Sequence, residues 1–397
     1  MKIYKSRLEG ELKIIPSKSY AHRLLIAAFL SKDEVTISNV YFSKDVEVTL
    51  KCLKELGANY VVKENRVTFL KPNKEASSKV VLDCFESGST IRFLLPLSLA
   101  LVDEVTLIGS PRLFSRGLGI YEEILTSQNI FYELGETYIK IKGKLHSGEF
   151  AVRGDISSQY ITGLLFTLPL LKGDSSIKIT TKLESSSYVD ITLDVISKAG
   201  IDVIRKDDIF YIKGDQEYNL PSLEVEGDYS SSAFFEAFNH FNSNINISNL
   251  NKESLQGDRA YLNFFDELEK ENAIISIANS IDLGPVLFVF AALKNGATFV
   301  DIARLRIKES DRVSSILEEL SKIGVKYQES QDEVVIYKSK LHRPTSIFNS
   351  HNDHRIIFAL TLVSTLFDIE FDNIDAKNKS YPTYFEDFKM LGGKIDE

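Results

Sequence analysis

The sequence contains little cysteine and no apolar run long enough to cross a bilayer. Cys52 and Cys84 are its two cysteines, which are too few for a disulfide framework, and no spacing of Cys and His resembles a zinc site. The N-terminal segment lacks the apolar core and small-residue cleavage site of a secretion signal, and no later window reaches the length of a membrane span. We therefore expect a soluble cytoplasmic protein with no metal and no cofactor.

Positive charge is also in short supply. The chain has 47 Lys and Arg against 56 Asp and Glu, a formal net charge of -9. Non-specific binding to nucleic acid needs a broad basic surface that displaces counterions. We therefore expect neither nucleic acid nor membrane among the partners, and we expect a monomer that binds small molecules. Basic residues that matter for function should act locally, inside short motifs.

A repeated pattern runs along the 397 residues, a length that usually divides into two or three domains. An amphipathic helix ends near Gly or Asn and is followed by an alternating strand, a polar turn and a second strand. The copies begin at Asp45, Leu118, Tyr188, Ala260, Asp311 and Tyr384. Their spacing of about seventy residues is too long for a solenoid. The pattern predicts six separate α/β units grouped into domains, although a helix followed by a hairpin is common in any α/β protein.

Five polar motifs each stand at the start of an apolar stretch. They are PSKSYAHR from Pro16, ESGSTIRF from Glu86, GDISSQYITGLL from Gly154, LRIKESDRV from Leu305 and NDHRIIFAL from Asn352. A helix N-terminus offers free N–H groups and the positive end of the helix dipole, so each motif is a plausible anion site. Each alone could equally be a helix cap, a structural His or a solvated charge run.

The third motif has an echo in EGDYSSSAFF, which begins at Glu226. One of these two helix starts could be only a cap, and we favour Ser157 and Ser158 as the ligand-binding pair. Several such helix ends aimed at one cleft would bind a polyanion. No P-loop, GxGxxG fingerprint or metal triad is present. The residues alone therefore indicate an enzyme that handles small phosphorylated or carboxylated anions.

Together, these segments resemble the 5-enolpyruvylshikimate-3-phosphate synthase family of enolpyruvyl transferases. The family patterns occur in order from Lys18 to Pro382, as SKSxxxR, SGSTxRF, GxxRLxxR, SSQ, YVDIT, GDxSS, LRxKESDR, DHR and KSYP. The resemblance implies an α/β fold, the inverted α/β barrel, with two domains of three βαβαββ units each. We expect one domain at 1–14 plus 228–397, the other at 15–227, and the active site in the cleft between them.

The same resemblance implies the reaction and the residues that carry it. The enolpyruvyl group of phosphoenolpyruvate would pass to the 5-hydroxyl of shikimate 3-phosphate. This step leads towards chorismate and the aromatic amino acids, and glyphosate inhibits it. The implied catalytic residues are Asp282, Lys308, Glu309 and Lys18. The implied phosphoenolpyruvate site comprises Lys18, Gly88, Arg116, Gln159, Arg312, Arg355 and Lys379. The implied shikimate 3-phosphate site comprises Lys18, Ser19, Arg23, Ser157, Ser158, Gln159, Ser185, Tyr188, Asp282 and Lys308.

Roles also follow from the resemblance. Arg312 and Arg355 would hold the carboxylate of phosphoenolpyruvate, a planar group that suits a bidentate guanidinium. The groups expected on its phosphate are Lys18, Arg116 and Lys379. Asp282 would accept the hydroxyl proton, and Lys308 and Glu309 are candidates for proton transfer at C3.

Four places depart from the commonest family pattern. Glu86 stands where many members have Asn, and Gly117 stands where Pro is usual. Ser186-Ser187 replaces Lys-Pro, and Arg304 replaces Asn. These changes bear on affinity and inhibitor response more than on reaction type, because the charged groups remain.

Two alternative functions share features with this one. The related transferase that acts on UDP-N-acetylglucosamine is marked by a Lys-Asn pair near the N-terminus and by a loop that carries a Cys. This chain has Lys18-Ser19 at the first place and no Cys between Pro111 and Gly119. A non-catalytic anion-binding protein of the same fold would be indicated by the loss of catalytic acids and bases. All of those residues are present.

Overall fold

The structure is a computed structural model that describes residues 1–71 and 78–396. The chain forms two compact units, here called the terminal unit (Met1–Ile15 with Gly227–Glu397) and the central unit (Pro16–Glu226). The domain boundaries expected from the sequence, after residues 14 and 227, each differ by one residue from those of the two units. An active site between the two domains stays a prediction.

Helices and strands alternate along most of the chain. The α-helices are α1 (Lys18–Leu30), α2 (Lys44–Glu55), α3 (Gly88–Leu101), α4 (Pro111–Ser115), α5 (Gly119–Ser127), α6 (Ser158–Thr167), α7 (Ser186–Lys198), α8 (Tyr229–Asn239), α9 (Tyr261–Leu268), α10 (Gly284–Leu293), α11 (Arg312–Ser321), α12 (His354–Thr361) and α13 (Tyr384–Met390). Short 3₁₀ helices lie at Leu168–Leu170, Gly257–Ala260, Ile281–Leu283, Ala303–Ile307, Leu362–Thr365 and Asp375–Lys379. Within the described ranges, no helix is long and apolar enough to cross a membrane.

The strands are short and mostly half-buried. They are β1 (Lys2–Ile3), β2 (Glu9–Lys13), β3 (Val35–Ser38), β4 (Tyr60–Lys63), β5 (Arg66–Phe69), β6 (Lys79–Asp83), β7 (Glu104–Ile108), β8 (Phe131–Leu134), β9 (Tyr138–Lys142), β10 (Glu149–Val152), β11 (Ser175–Ile179), β12 (Val203–Lys206), β13 (Ile209–Ile212), β14 (Leu223–Glu224), β15 (Asn244–Ser248), β16 (Ile274–Ser276), β17 (Gly296–Val300), β18 (Lys326–Glu329), β19 (Glu333–Tyr337), β20 (Ile369–Glu370) and β21 (Ile395–Asp396).

The central unit repeats one sheet design. The sheets run in the orders β14-β3-β5-β4, β6-β7-β9-β8 and β10-β11-β13-β12. In each sheet the first two strands are parallel, and the last two form an antiparallel hairpin. A buried helix precedes the second parallel strand, and an amphipathic helix precedes the hairpin. The repeat predicted from helix-then-hairpin periodicity is therefore confirmed in this unit.

The terminal unit follows the same plan with two reduced sheets. The sheet β16-β17-β19-β18 has the full order. In the sheet β20-β1-β21 the first position is occupied by a single parallel bridge between Phe348 and Phe371. The parallel pair β15-β2 is a two-stranded sheet, because the strand after α9 is β16, which lies parallel to β17. The copy predicted from Ala260 therefore ends in a single strand of the next sheet and not in a hairpin.

Two strands are exchanged where the chain passes between the units. In sequence β2 precedes α1, but it pairs with β15 of the terminal unit. Conversely β14 precedes α8, but it pairs with β3 of the central unit. Strand β2 thus belongs to the terminal unit although the next helix in sequence lies in the central unit. Strand β14 belongs to the central unit although the next helix lies in the terminal unit.

Polar side chains cap the buried helices that begin these repeats. In the central unit Ser17, Ser87 and Ser157 cap α1, α3 and α6, each accepting a hydrogen bond from a backbone N–H of the first turn. In the terminal unit Asp228 and Asp353 cap α8 and α12 in the same way. A side-chain oxygen at this position satisfies an otherwise unpaired N–H group. The Asp caps also bring negative charge to the starts of α8 and α12, which Ser caps do not.

Candidate active site

Arg312 is the centre of a buried charge cluster in the terminal unit. It is the first residue of α11, and its side chain is 1% exposed. Its Nε donates to Asp353 Oδ2 at 2.8 Å and its Nη1 to Asp282 Oδ1 at 2.9 Å. Its Nη2 donates to Glu309 Oε2 at 2.6 Å. Burial alone would lower the pKa of Arg312, but the three carboxylates outweigh it and raise that pKa.

Asp282 lies where three basic side chains converge. It belongs to the 3₁₀ helix that leads into α10. Besides Arg312, its Oδ1 lies 3.5 Å from Lys308 Nζ, and its Oδ2 accepts from Arg355 Nη2 at 3.1 Å. Arg355 Nη1 also donates to the Asp282 carbonyl at 3.0 Å. The structure therefore brings together five predicted residues of this unit: Asp282, Lys308, Glu309, Arg312 and Arg355.

Two groups in this neighbourhood have pKa values near neutrality. Burial lowers the pKa of Lys308 to about 8, although the charge of Asp282 opposes the change. Burial, and then the negative charge of Asp282, raise the pKa of Asp258 to about 7. Asp258 Oδ2 accepts from the Ser230 hydroxyl, and its buried Oδ1 has no hydrogen-bond partner among residues 1–71 and 78–396. Groups that titrate near neutral pH are suited to proton transfer, and they cluster at functional sites.

Asp353 shows what the DHR motif does structurally. It is fully buried, caps α12 through the Arg355 N–H at 3.0 Å, and accepts from the Ser310 hydroxyl at 3.1 Å. Burial would raise its pKa, but the Arg312 guanidinium more than offsets this, so the pKa of Asp353 lies below its ordinary value. Asp353 thus fixes both Arg312 and the start of the helix that carries Arg355.

Lys379 is tied to the loop before α12. Its Nζ donates to the Asn352 carbonyl at 2.7 Å. Arg304, which stands where the family pattern has Asn, is buried and donates to the Ala278 carbonyl. Its positive charge also contributes to lowering the pKa of Lys308.

A second basic cluster lies at the start of α3 in the central unit. A Cβ on Gly88 would lie 2.9 Å from both terminal nitrogens of Arg116 and 3.0 Å from Arg92 Nη1. Arg92 Nη1 donates to Gln159 Oε1 at 2.9 Å, and Gln159 Nε2 donates to Ser89 Oγ at 3.0 Å. The predicted residues Gly88, Arg116 and Gln159 are therefore brought together, as the helix-terminus anion site requires.

Arg92 joins these residues and was missing from the predicted set. Its Nη2 lies 3.5 Å from the Arg116 carbonyl and 3.3 Å from that of Gly117. Gly117 has φ of +78°, a conformation that the ring of Pro, usual here in the family, does not permit. The SGSTxRF motif contained the signal for Arg92, but a single Arg in an apolar helix is equally well explained as structural.

The remaining central-unit residues lie at the starts of α1, α6 and α7. Lys18 Nζ pairs with Asp45 Oδ2 at 2.9 Å. Ser157 caps α6 by accepting from the Gln159 N–H at 3.3 Å, and Ser158 is buried beside it. Ser185, just before α7, has φ of +54°, a conformation that costs energy for a residue other than glycine and often occurs at functional sites.

Arg23 forms several hydrogen bonds within the central unit. Its Nε donates to Thr192 Oγ1 at 2.8 Å, and its Nη1 and Nη2 donate to the carbonyls of Ser19 at 2.8 Å and Tyr188 at 3.0 Å. Burial lowers its pKa to about 10. Arg23 therefore holds Ser19 and Tyr188, two other predicted ligands, in place.

The echo motif of the terminal unit is a helix cap. Asp228 caps α8 through the Ser230 N–H at 3.2 Å and accepts from the Ser231 hydroxyl at 2.7 Å. These three side chains are buried, and the Ser230 hydroxyl donates outside the motif to Asp258 Oδ2. The choice of Ser157 and Ser158 as the ligand-binding pair, with this helix start as only a cap, stays a prediction.

Known proteins are similar to this chain in both sequence and fold. The family model described as EPSP synthase (3-phosphoshikimate 1-carboxyvinyltransferase) matches residues 3–388. A 3-phosphoshikimate 1-carboxyvinyltransferase of Clostridium kluyveri is 42% identical and aligns with 99% of this chain and 97% of its own length. One of Clostridioides difficile is 41% identical, with 100% and 98% covered.

Solved structures agree on the fold. An EPSP synthase structure from Acinetobacter baumannii superposes with a TM-score of 0.79 at 18% identity, covering 100% of this chain and 99% of that one. The predicted fold class, two domains built from βαβαββ units, is thereby confirmed. With a family model that covers nearly its whole length, the chain belongs to the EPSP synthase (3-phosphoshikimate 1-carboxyvinyltransferase) family.

Proposed function

We propose that this protein transfers the enolpyruvyl group of phosphoenolpyruvate to the 5-hydroxyl of shikimate 3-phosphate and releases phosphate. The observation that carries the proposal is the cluster around Asp282. One carboxylate lies within 3.5 Å of Lys308, Arg312 and Arg355. The proposal is supported because this carboxylate, the candidate base, has two guanidiniums beside it that suit a substrate carboxylate, and a lysine with a pKa of about 8.

Arg312 and Arg355 are proposed to bind the carboxylate of phosphoenolpyruvate. Both guanidiniums already hold a carboxylate, that of Asp282, at 2.9 and 3.1 Å. Planar two-point donation is the geometry by which Arg recognises carboxylates best, and a free substrate carboxylate could accept it from these side chains. A substrate carboxylate in the same position would compete with Asp282 and release its oxygens to accept a proton.

The phosphate of phosphoenolpyruvate is proposed to bind at the start of α3. Gly88 has no Cβ, so a ligand can approach the first N–H groups of the helix, and Arg116 and Arg92 lie around the same point. The other proposed phosphate ligands are Lys18 and Lys379. Because Lys379 belongs to the terminal unit and the rest to the central unit, this part of the proposal requires groups from both units.

Shikimate 3-phosphate is proposed to bind mainly to the central unit. Its proposed ligands are Lys18, Ser19, Arg23, Ser157, Ser158, Gln159, Ser185 and Tyr188, with Asp282 and Lys308 from the terminal unit. The Arg23 hydrogen bonds that hold Ser19 and Tyr188 support this assignment, because preorganised ligands lose little entropy on binding. Since one chain supplies the whole set, we propose that the monomer is active.

The chemistry proposed for these groups is an addition followed by an elimination. The 5-hydroxyl oxygen bonds to C2 of phosphoenolpyruvate as Asp282 takes its proton and C3 gains a proton. Loss of a proton from C3 then expels phosphate and restores the double bond, which leaves an enol ether of shikimate 3-phosphate. Lys308 and Glu309 are proposed for the proton at C3, since an ammonium group with a pKa of about 8 gives up and regains a proton near neutrality.

An assay of phosphate release with two acceptors tests the proposal. Purified protein is given phosphoenolpyruvate with either shikimate 3-phosphate or UDP-N-acetylglucosamine. We expect phosphate release with the first acceptor and none above background with the second. Release with UDP-N-acetylglucosamine alone would assign the chain to the other enolpyruvyl transferase reaction.

A further inference from the structure

We propose that Glu319 is a positioning residue for phosphoenolpyruvate binding, because it fixes the loop that leads into α12 and contacts Lys379. This inference rests on the proposed function and concerns a residue that no motif identified. Glu319 lies on α11, two turns after Arg312, and its side chain is fully buried. A carboxylate in such a place must be paired, because burial of an unpaired charge is costly.

The partners of Glu319 are Lys322, which follows α11, and two residues of the segment 347–351. Its Oε2 accepts from the Asn349 N–H at 2.9 Å and from Lys322 Nζ at 2.7 Å. Its Oε1 lies 3.0 Å from His351 Nε2, which must carry the proton because an ionised carboxylate only accepts. Lys322 Nζ also donates to the Ile347 carbonyl at 3.0 Å. Glu319 and Lys322 thus grip the segment at three points.

The gripped segment adopts a conformation that needs such support. His351 and Asn352 have φ of +49° and +50°. Two successive residues in the left-handed region, neither of them glycine, cost energy that surrounding contacts must offset. The carbonyl of Asn352, the second of these residues, accepts from Lys379 Nζ at 2.7 Å. The next residue is Asp353, which pairs with Arg312 at the first position of α11.

Helix α11 therefore holds this loop at two places. Arg312 binds its end through Asp353, and Glu319 binds its beginning through Asn349 and His351. The conformation fixed in this way orients the Asn352 carbonyl towards Lys379 and sets the start of the helix that carries Arg355. Both cations belong to the proposed phosphoenolpyruvate site.

A metal site is the competing explanation for these side chains. Ligand atoms of Glu318, Glu319 and His351 all lie within 4.8 Å of one another. However, both oxygens of Glu319 already accept hydrogen bonds from the protein, and the Lys322 ammonium lies 2.7 Å away, where it would repel a cation. The arrangement fits a structural clamp and not a metal site.

The test compares Glu319→Gln with Glu318→Gln, a neutralisation of the exposed carboxylate next to it on the same helix. Wild-type activity is established first, so that failure of the proposed function is recognised separately. We expect Glu319→Gln to raise KM for phosphoenolpyruvate by about fivefold or more, the factor that a lost interaction of about 1 kcal/mol produces. We expect KM for shikimate 3-phosphate to change less than about twofold, and Glu318→Gln to match the wild type.

A second pair of variants covers the case in which Glu319→Gln does not fold. His351→Gln keeps an N–H donor for Glu319, whereas His351→Leu, of similar size, removes it. We expect KM for phosphoenolpyruvate to rise in the Leu variant. In the Gln variant it should rise less. A purely structural role would change both KM values together, or only the melting temperature. Either result, or identical behaviour of the two His351 variants, would overturn the inference.

Discussion

Replacing Asp282 by Asn tests the proposed base, and the structure sets the size of the effect. The variant loses a proton acceptor, and positioned acid–base groups contribute about 10²-fold or more to rate. It also removes a negative charge 3.5 Å from Lys308 Nζ. Two unit charges at that distance interact by about 1 kcal/mol in water and by more inside a protein, so the pKa of Lys308 should fall by about one unit or more from its value near 8.

These two effects predict a specific kinetic pattern. At pH 7 kcat falls by about 100-fold or more. At pH 8 a further loss of about fivefold follows, because the protonated fraction of Lys308 drops from about one half to about one tenth. The basic limb of the pH profile therefore moves to lower pH. The KM for phosphoenolpyruvate should not rise, since Arg312 and Arg355 remain and lose a competing carboxylate.

The assay is steady-state phosphate release between pH 6 and 9, with both substrates varied. Asp266→Asn, which neutralises an exposed carboxylate of α9, is the matched control and should match the wild type. A loss of kcat smaller than about tenfold would rule out Asp282 as the base. A rise in KM for phosphoenolpyruvate parallel to the loss of kcat would show that Asp282 acts in binding instead.

Three further variants test other parts of the account. Arg355→Lys keeps the charge but loses the two-point contact, and KM for phosphoenolpyruvate should rise about tenfold with KM for shikimate 3-phosphate unchanged; equal weakening of both substrates would contradict the assignment. In Gly88→Ala the new Cβ would lie 2.9 Å from the Arg116 guanidinium and must displace it. The inhibition constant of glyphosate, measured at varied phosphoenolpyruvate, should therefore rise by a larger factor than KM for phosphoenolpyruvate. Unchanged inhibition would remove Gly88 from the site. Burial raises the pKa of Asp258 from 3.8 to about 7, so its stabilising contribution is complete below pH 4 and is lost as the pH rises to 7; Asp258→Asn should flatten this part of the stability profile measured by urea unfolding at several pH values, and an unchanged slope would count against it.

The sequence predicted the repeat where the signal was local. Helix-then-strand periodicity lies within a few dozen residues, so it identified the helix and hairpin of each repeat in the central unit. It could not predict the exchange of β2 and β14, because β14 pairs with β3, for example Leu223 with Ile37. Periodicity indicates that a segment is a strand but not which distant strand it joins.

The site shows the same division between local and distant signals. The motif that contains Lys308 and Glu309 is conspicuous because it places four charges at a helix start, and the family resemblance supplies the roles of these two residues. Asp258 and Glu319 were missed because each is an ordinary acidic residue in sequence, and only burial beside particular partners distinguishes it. Arg23 was predicted as a ligand, whereas its hydrogen bonds within the unit become visible only in three dimensions.

The fate of carbon-labelled phosphoenolpyruvate tests the central claim most directly. The protein is incubated with phosphoenolpyruvate labelled at C2 and with shikimate 3-phosphate, and the reaction is followed by ¹³C and ³¹P NMR. The account predicts that the label appears in an enol ether of shikimate 3-phosphate, with one inorganic phosphate released for each ether formed. Label recovered only as pyruvate, or phosphate release that does not depend on shikimate 3-phosphate, would contradict it.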